Sequence, residues 1–140
     1  MTNESDVPPR LTPDQMPPVV DQASLEYAWR SLMGDLGFDF PQLWLLFLED
    51  GHCGPMLAID EAPLVPDARD LDSIKALLGP LVDRGRQVAF LFARPGRGRT
   101  TGDLAWARGL AALFPDGWPV HLANDVELRV AAPDDLAVAG

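Results

Sequence analysis

Basic side chains gather in one region of this chain, where an apolar segment runs through a loop into a helical pattern. Between Arg84 and Arg108 there are six arginines and one acid, Asp103. They give a local charge of +5 and leave −15 for the rest of a chain whose net charge is −10. A helix N-terminus offers free backbone N–H groups and the positive end of the helix dipole, which favour an anion. Arginines add bidentate donors, and the glycines of the loop let the backbone approach a ligand closely. The pattern predicts recognition by the loop at residues 94–103.

The sequence leaves three interpretations of this loop open. One is an ordinary solvated loop without a binding function, whose guanidinium groups pair with neighbouring acids, and the other two are binding functions. The first is a non-enzymatic domain that binds a protein partner, and the second is capture of a small phosphate or carboxylate anion. The loop is not a P-loop, because GxxxxGK[ST] is absent, and it is not a GxGxxG fingerprint, because Thr101 replaces the third glycine. The candidate binding residues are Arg94, Arg97, Arg99, Thr100, Thr101, Asp103, Trp106 and Arg108.

Two residue patterns at the start of this helix suggest specific roles. Thr100 and Asp103 have the Thr-x-x-Asp spacing of a capping box, in which each side chain accepts from the other residue's backbone N–H. This predicts a structural role for Asp103. Trp106 lies off the apolar stripe of the helix, and together with Arg108 it is predicted to form an exposed interaction patch.

The segment Val88–Leu110 resembles the core of JAB/MPN (JAMM) domains, especially the RadC-like branch. In that family an apolar strand runs into a His-x-His-Pro loop, and a Ser-x-x-Asp then opens a helix. Thr100 and Asp103 stand in the places of the Ser and Asp, and Pro95 resembles the proline of the turn. The order of the upstream elements is compatible, so the resemblance extends over about Leu43–Leu122.

The same resemblance implies an inactive relative. Phe92 and Arg94 occupy the places of the two metal-binding histidines, and the loop is about two residues shorter than the family's. A zinc site of that type needs both histidines, the aspartate and a glutamate base to activate water. We therefore expect no catalytic residue, no metal and no cofactor, and a hydrolase is the weaker alternative.

Cysteine and histidine usage restricts the chemistry further. Cys53 is the only cysteine, so a disulfide within the chain is impossible, and His52 and His121 are the only histidines. His52 and Cys53 are predicted to lie in the turn after the first strand. His121 is predicted to be a structural histidine within a strand.

Hydrophobic periodicity predicts a single α/β domain in the order α-β-β-α-β-α-β-(β). We expect a mixed sheet of four to five strands with about three helices packed on it. The first helix is predicted to begin at Asp21 or Ser24 and to end at about Gly37. The second is predicted to begin at Asp70 or Asp72, with a kink or an early end near Gly79 because of Pro80. The third is predicted to begin at Thr100 and to end at Pro115-Asp116-Gly117. Strands are predicted at 43–48, 56–59, 88–92, 119–122 and 128–130.

Composition gives the wider setting. The chain has 140 residues, of which 47% are hydrophobic, and this suits one domain. Residues 1–20 hold five prolines and are predicted to be a disordered leader before a domain at 21–140. A net charge of −10 argues against bulk binding of nucleic acid or of an anionic membrane. The N-terminus has no apolar signal core and no apolar run is long enough to span a bilayer, so a cytoplasmic location is expected.

Overall fold

The computed structural model describes residues 15–34, 36–114 and 117–131. Three helices and five strands follow one another in the predicted order. They are α1 (Gln22–Met33), β1 (Gln42–Glu49), β2 (His52–Asp60), α2 (Ala68–Asp83), β3 (Gln87–Ala93), α3 (Thr101–Leu113), β4 (His121–Ala123) and β5 (Leu128–Val130). No helix within these residues is long and apolar enough to cross a membrane.

The strands form one mixed sheet in the order β2-β1-β3-β4-β5, which confirms the predicted single-domain α/β fold. β1 pairs antiparallel with β2 and β3, β4 pairs antiparallel with β5, and β3 and β4 are parallel. The parallel pair needs a crossover, which α3 supplies. The continuous apolar runs of β1 and β3 suit the central strands of a sheet that is covered on both faces.

Each face of the sheet builds its own core. Alternate residues of β1 point to opposite faces, so Leu43 and Leu45 join the core beneath α2 and α3. Leu46 and Leu48 join the core beneath α1. The fold therefore has three layers, with α1 on one side of the sheet and the other two helices on the opposite side.

The domain includes residues that precede its predicted boundary at residue 20. Met16 and Val19 are buried in the core beneath α1, and the backbone N–H of Val19 donates to the carbonyl of Gly51 at 2.7 Å. Gly51 lies in the β1–β2 turn with φ of +82°, and a side chain there would also press on the Val19 carbonyl. Residues 15–20 are therefore part of the domain. The rest of the predicted leader, residues 1–14, lies outside the described residues.

Several predicted boundaries were wrong. α1 ends at Met33, because Gly34 with φ of +73° caps it and the predicted end near Gly37 comes too late. β2 begins at His52, so His52 and Cys53 lie in a strand and the turn is shorter than expected. α2 begins after the cap Asp67 and continues through Pro80 to Asp83.

Pro80 is tolerated in α2 because of where it lies on the helix. It removes the N–H that would bond to the carbonyl of Ala76, but both residues are exposed, so water can satisfy that carbonyl. The helix gains from continuing, since Leu81 and Val82 pack against the core beneath α2 and α3.

Candidate binding surface at the carboxyl edge of the sheet

The predicted recognition loop lies at the carboxyl ends of the two parallel strands. β3 ends at Ala93 and the chain passes through residues 94–100 before α3 begins. The β4–β5 turn lies beside this loop, because the N–H of Arg94 donates to the Ala123 carbonyl at 3.1 Å. In open α/β sheets, ligands commonly bind outside the carboxyl ends of the strands.

Arg94 holds the loop from inside. Its guanidinium makes a bidentate pair with the Asp103 carboxylate, with Nε–Oδ1 and Nη2–Oδ2 distances both 2.7 Å. It also donates to the carbonyl of Pro95 at 2.9 Å and to the carbonyl of Gly98. Arg94 is only 4% exposed and Asp103 only 5%. These two candidate binding residues are therefore inside the molecule, where they bind each other.

The predicted capping box of α3 is confirmed. Thr100 Oγ1 accepts from the N–H of Asp103 at 3.1 Å, and Asp103 Oδ2 accepts from the N–H of Thr100 at 3.0 Å. Burial alone would raise the pKa of Asp103, but the hydrogen bonds from Arg94 and Thr100 outweigh it and hold this pKa below its usual value. Asp103 is thus a charged cap that serves the helix and the loop together.

A second clamp, which the sequence analysis missed, comes from the β4–β5 turn. Asp125 accepts from the N–H of Gly96 at 2.8 Å and from the N–H of Phe38 at 3.0 Å. Asn124 donates to the Gly98 carbonyl at 3.2 Å. The backbone hydrogen bonds from Gly96 and Phe38 lower the pKa of Asp125, helped by the charges of Arg94 and Arg97. The Asn-Asp pair after β4 is typical of turns in which side chains bond to nearby backbone, and this was the available signal.

Little space is left beneath the loop. The cavity between the loop, Asp103 and the β4–β5 turn has a volume of about 10 Å³, close to the room that one water needs. The backbone N–H of Asp103 already bonds to the cap. A phosphate or carboxylate would have to bind outside, on the exposed arginines.

The structure leaves Arg97, Arg99, Thr100 and Thr101 exposed on the outer side of the loop. Two apolar side chains of the segment that contacts the start of α3, Leu64 and Val65, are also exposed, at 56% and 58%. Val65 lies against the start of α3, since a Cβ placed at Gly102 would be 3.4 Å from its Cγ2 atom. We call the exposed side chains of Leu64, Val65, Arg97, Arg99 and Thr101 the loop surface.

The predicted exposed patch at Trp106 and Arg108 was wrong for Trp106. This side chain is 2% exposed, stacks on Phe92 with ring centroids 5.4 Å apart, and donates from Nε1 to the Pro63 carbonyl at 2.8 Å. The segment after β2 covers α3 here, and the helical periodicity alone does not reveal that cover. Arg108 is half-buried.

The arginines that cluster in the sequence separate in space. Arg84 and Arg86 precede β3 and Arg94 follows it, and the seven residues of this strand span about 23 Å at roughly 3.3 Å each. Arg86 faces Glu49, with an Nε–Oε2 distance of 3.4 Å. The local charge of +5 is therefore divided between two ends of the sheet.

A groove of about 370 Å³ lies near Arg86, between the ends of α2 and α3. Its walls are mainly apolar, and its polar side chains are already engaged. Arg86 pairs with Glu49, and Gln87 accepts from Trp118 Nε1 at 3.1 Å. The groove lacks the converging, available polar groups that orient a ligand.

The positions that correspond to the JAB/MPN metal ligands do not fit a metal. Phe92 is buried against Trp106, and the guanidinium of Arg94 is paired with the Asp103 carboxylate. No group of three or more His, Cys, Asp or Glu side chains is placed to hold a metal ion within residues 15–34, 36–114 and 117–131. The resemblance to that family stays a prediction. The chain matches no family model, no curated protein and no solved structure.

Proposed function

We propose that this chain is a non-enzymatic binding domain, acting in the cytoplasm, that recognises a protein partner through the loop surface. The observation that carries the proposal is the exposure of Leu64 and Val65 against the start of α3, together with the exposure of Arg97 and Arg99 in the loop that leads into this helix. Exposed apolar side chains next to arginine are a common composition at the centre of protein interfaces, where arginine is enriched among the residues that contribute most.

The rigidity of the surface supports this proposal. Arg94 and Asp125 fix the loop from two sides, and Trp106 fixes the segment that carries Leu64 through the Pro63 carbonyl. A surface that is ordered before binding loses less conformational entropy when the partner docks. The side chains of the loop surface are thus presented by a backbone that need not rearrange.

Charge narrows the class of partner. The chain carries −10 overall, so a partner that is acidic throughout would be repelled at most approaches. A local carboxylate that meets Arg97 and Arg99, set within an apolar segment that covers Leu64 and Val65, satisfies both parts of the surface. The expected partner is therefore a protein with an apolar segment that carries one or two acids.

The small-anion alternative uses the same arginines but has less support. The cavity beneath the loop holds no more than about one water, and Arg94 is engaged with Asp103. An anion on Arg97 and Arg99 alone would be bound at an exposed site, where ion pairs contribute little.

Affinity capture with matched variants tests the proposal. Immobilised wild-type protein, Arg97→Ala/Arg99→Ala and Arg84→Ala/Arg86→Ala are each exposed to a cytoplasmic extract of the source cells, and retained proteins are quantified by mass spectrometry. The control removes two exposed arginines that precede β3, at the end of this strand opposite to the loop. We expect a protein retained by the wild type and the control but lost from the loop variant and from Leu64→Ser/Val65→Ser. Identical retention by all four proteins would contradict the proposal.

A further inference from the structure

The two edges of the sheet differ in length and protection. β5 has three residues, whereas β2 has nine and lies at the opposite edge. Among the described residues, no strand pairs with the outer side of the β2 backbone. Natural edge strands are usually guarded by charged side chains, because an unguarded edge pairs with other strands. From Cys53 to Ile59, β2 carries no charged residue. Two features of β2 hinder pairing at this edge, Pro55 and a β-bulge opposite Phe47, and both lie in the first half of the strand.

The second half of β2 also presents apolar side chains to solvent. Leu57 and Ile59 pair with Leu45 and Leu43 of β1, so they point to the face that α2 and α3 cover elsewhere. Within the described part of the chain, Leu57 nevertheless remains 49% exposed and Ile59 39%. The helix layer does not reach across the edge strand.

The orientation of α2 places a third exposed apolar side chain, that of Leu77, on the same face of the sheet as Leu57 and Ile59. At roughly 3.6 residues per turn, Leu71 and Leu77 lie about 60° to either side of the buried Ile74. Leu71 contacts α3 at Gly109. Leu77 therefore lies on the flank of α2 that faces away from α3, toward β2, and it is 60% exposed. We call Leu57, Ile59 and Leu77, with the free edge of β2, the edge surface.

We propose that a second copy of this chain covers the edge surface, with β2 of one copy pairing antiparallel to β2 of the other about a two-fold axis. The two five-stranded sheets would then join into one of ten strands. The self-complementarity of β2 argues for this occupant, because an antiparallel copy places its exposed apolar side chains opposite one another. Copies that each carry −10 repel one another, and the uncharged stretch of β2 lets this contact form without placing two acids opposite each other.

The sequence of β2 also selects the register. A two-fold axis at Ala58 places Leu57 opposite Ile59 of the second copy, twice, on the face that carries Leu77. Asp60 then lies opposite Met56. Moving the axis to Asp60 would place two aspartates opposite each other, and like charges in that position are destabilising.

The interface in this register is short. Pro55 lacks a backbone N–H and lies within the bulge, so regular pairing covers residues 56–60 of each copy. Stable interfaces typically bury about 800 Å² per partner, and a five-residue strand with three apolar side chains is at the small end of that range. We therefore expect a reversible dimer that dissociates on dilution.

Sedimentation equilibrium from low-micromolar to near-millimolar protein tests the association. We expect the wild type to change from monomer to dimer, and Leu57→Lys to raise the dissociation constant by at least about tenfold. Leu64→Lys is the matched control, since Leu64 is similarly exposed but lies on the loop surface, and it should behave as the wild type does. A wild type that stays monomeric throughout, or equal effects of the two lysine variants, would overturn the proposal. Thermal melting of each variant verifies that it is folded.

Disulfide trapping tests the register. In a Cys53→Ala background, Ala58→Cys should form a covalent dimer with a mild oxidant such as diamide, because the axis brings residue 58 of both copies together. Asp60→Cys should not, because the two copies of residue 60 lie on opposite sides of the axis. Trapping at residue 60 in place of residue 58 would refute the register. Arg97→Ala/Arg99→Ala should leave the dimer intact, so this result is independent of the loop surface.

Discussion

At the level of single residues, the buried pair of Arg94 and Asp103 does more than neutralise charge. Arg94 shares its donors between the carboxylate and two loop carbonyls, and Asp103 also accepts from the N–H of Thr100. The same carboxylate therefore caps α3 and fixes the loop. A buried ion pair of this kind contributes through the high cost of losing one partner, because the remaining charge is left without compensation.

Asp103→Asn should therefore destabilise the protein strongly. The variant leaves the Arg94 guanidinium buried opposite a neutral amide, and removal of one partner of such a pair costs about 3–5 kcal/mol. Urea denaturation at neutral pH measures the loss of free energy of unfolding. Asp125→Asn is the control, because Asp125 is exposed and its replacement should cost clearly less. Equal losses in the two variants would mean that the buried pair has no special role.

At the level of elements, the seating of α3 against the segment after β2 depends on one glycine. A Cβ at Gly102 would lie 2.1 Å from the backbone carbonyl oxygen of Leu64, and backbone cannot rotate away as a side chain can. Gly109, on the same helix, would place its Cβ against the flexible end of Leu71. The two glycines thus differ in the kind of neighbour they face.

Gly102→Ala should lower the free energy of unfolding by about 1–3 kcal/mol, because the helix or the segment carrying Leu64 must shift. Gly109→Ala should be nearly neutral, since Leu71 can move and alanine favours a helix over glycine by roughly 1 kcal/mol. Urea denaturation of both variants compares them directly. A Gly102→Ala protein as stable as the wild type would show that α3 is not held against Leu64.

The order and type of the elements could be predicted from the sequence because apolar periodicity reports which side of each element is buried. The Thr100–Asp103 capping box could also be predicted, since it depends on residues three apart. The burial of Trp106 could not, because it requires the Pro63 carbonyl, 43 residues away in the chain. The pairing of Arg94 with Asp103 likewise depends on the path of an irregular loop.

At the level of the whole molecule, the positions of the charged side chains on the fold matter more for binding than the net charge does. The arginines that adjoin one another in sequence lie at both ends of β3, so no single face collects the local +5. What remains at the loop surface is two exposed arginines together with two exposed apolar side chains. The β2 edge, by contrast, is uncharged between Cys53 and Ile59, and the molecule thus offers two chemically different surfaces.

The stability of the whole fold should also depend on pH through His121. This side chain is fully buried beneath α1, and burial lowers its pKa from 6.5 to about 4, while attraction to Glu26 offsets only part of that shift. Between these values the unfolded chain binds a proton that the folded chain does not. Acidification through this range therefore favours unfolding.

We expect the free energy of unfolding to fall by up to about 3 kcal/mol between pH 7 and pH 4 because of His121 alone. Urea denaturation at several pH values measures this slope for the wild type, for His121→Gln and for His52→Gln. His121→Gln, at the buried position, should remove most of the dependence of the unfolding free energy on pH above pH 4. His52→Gln, at an exposed position, should leave this dependence unchanged. If His121→Gln keeps the wild-type slope, the protonation that opposes folding occurs at another group. The lowered pKa values of Asp103 and Asp125 place their own contributions at lower pH, below the window in which His121 acts.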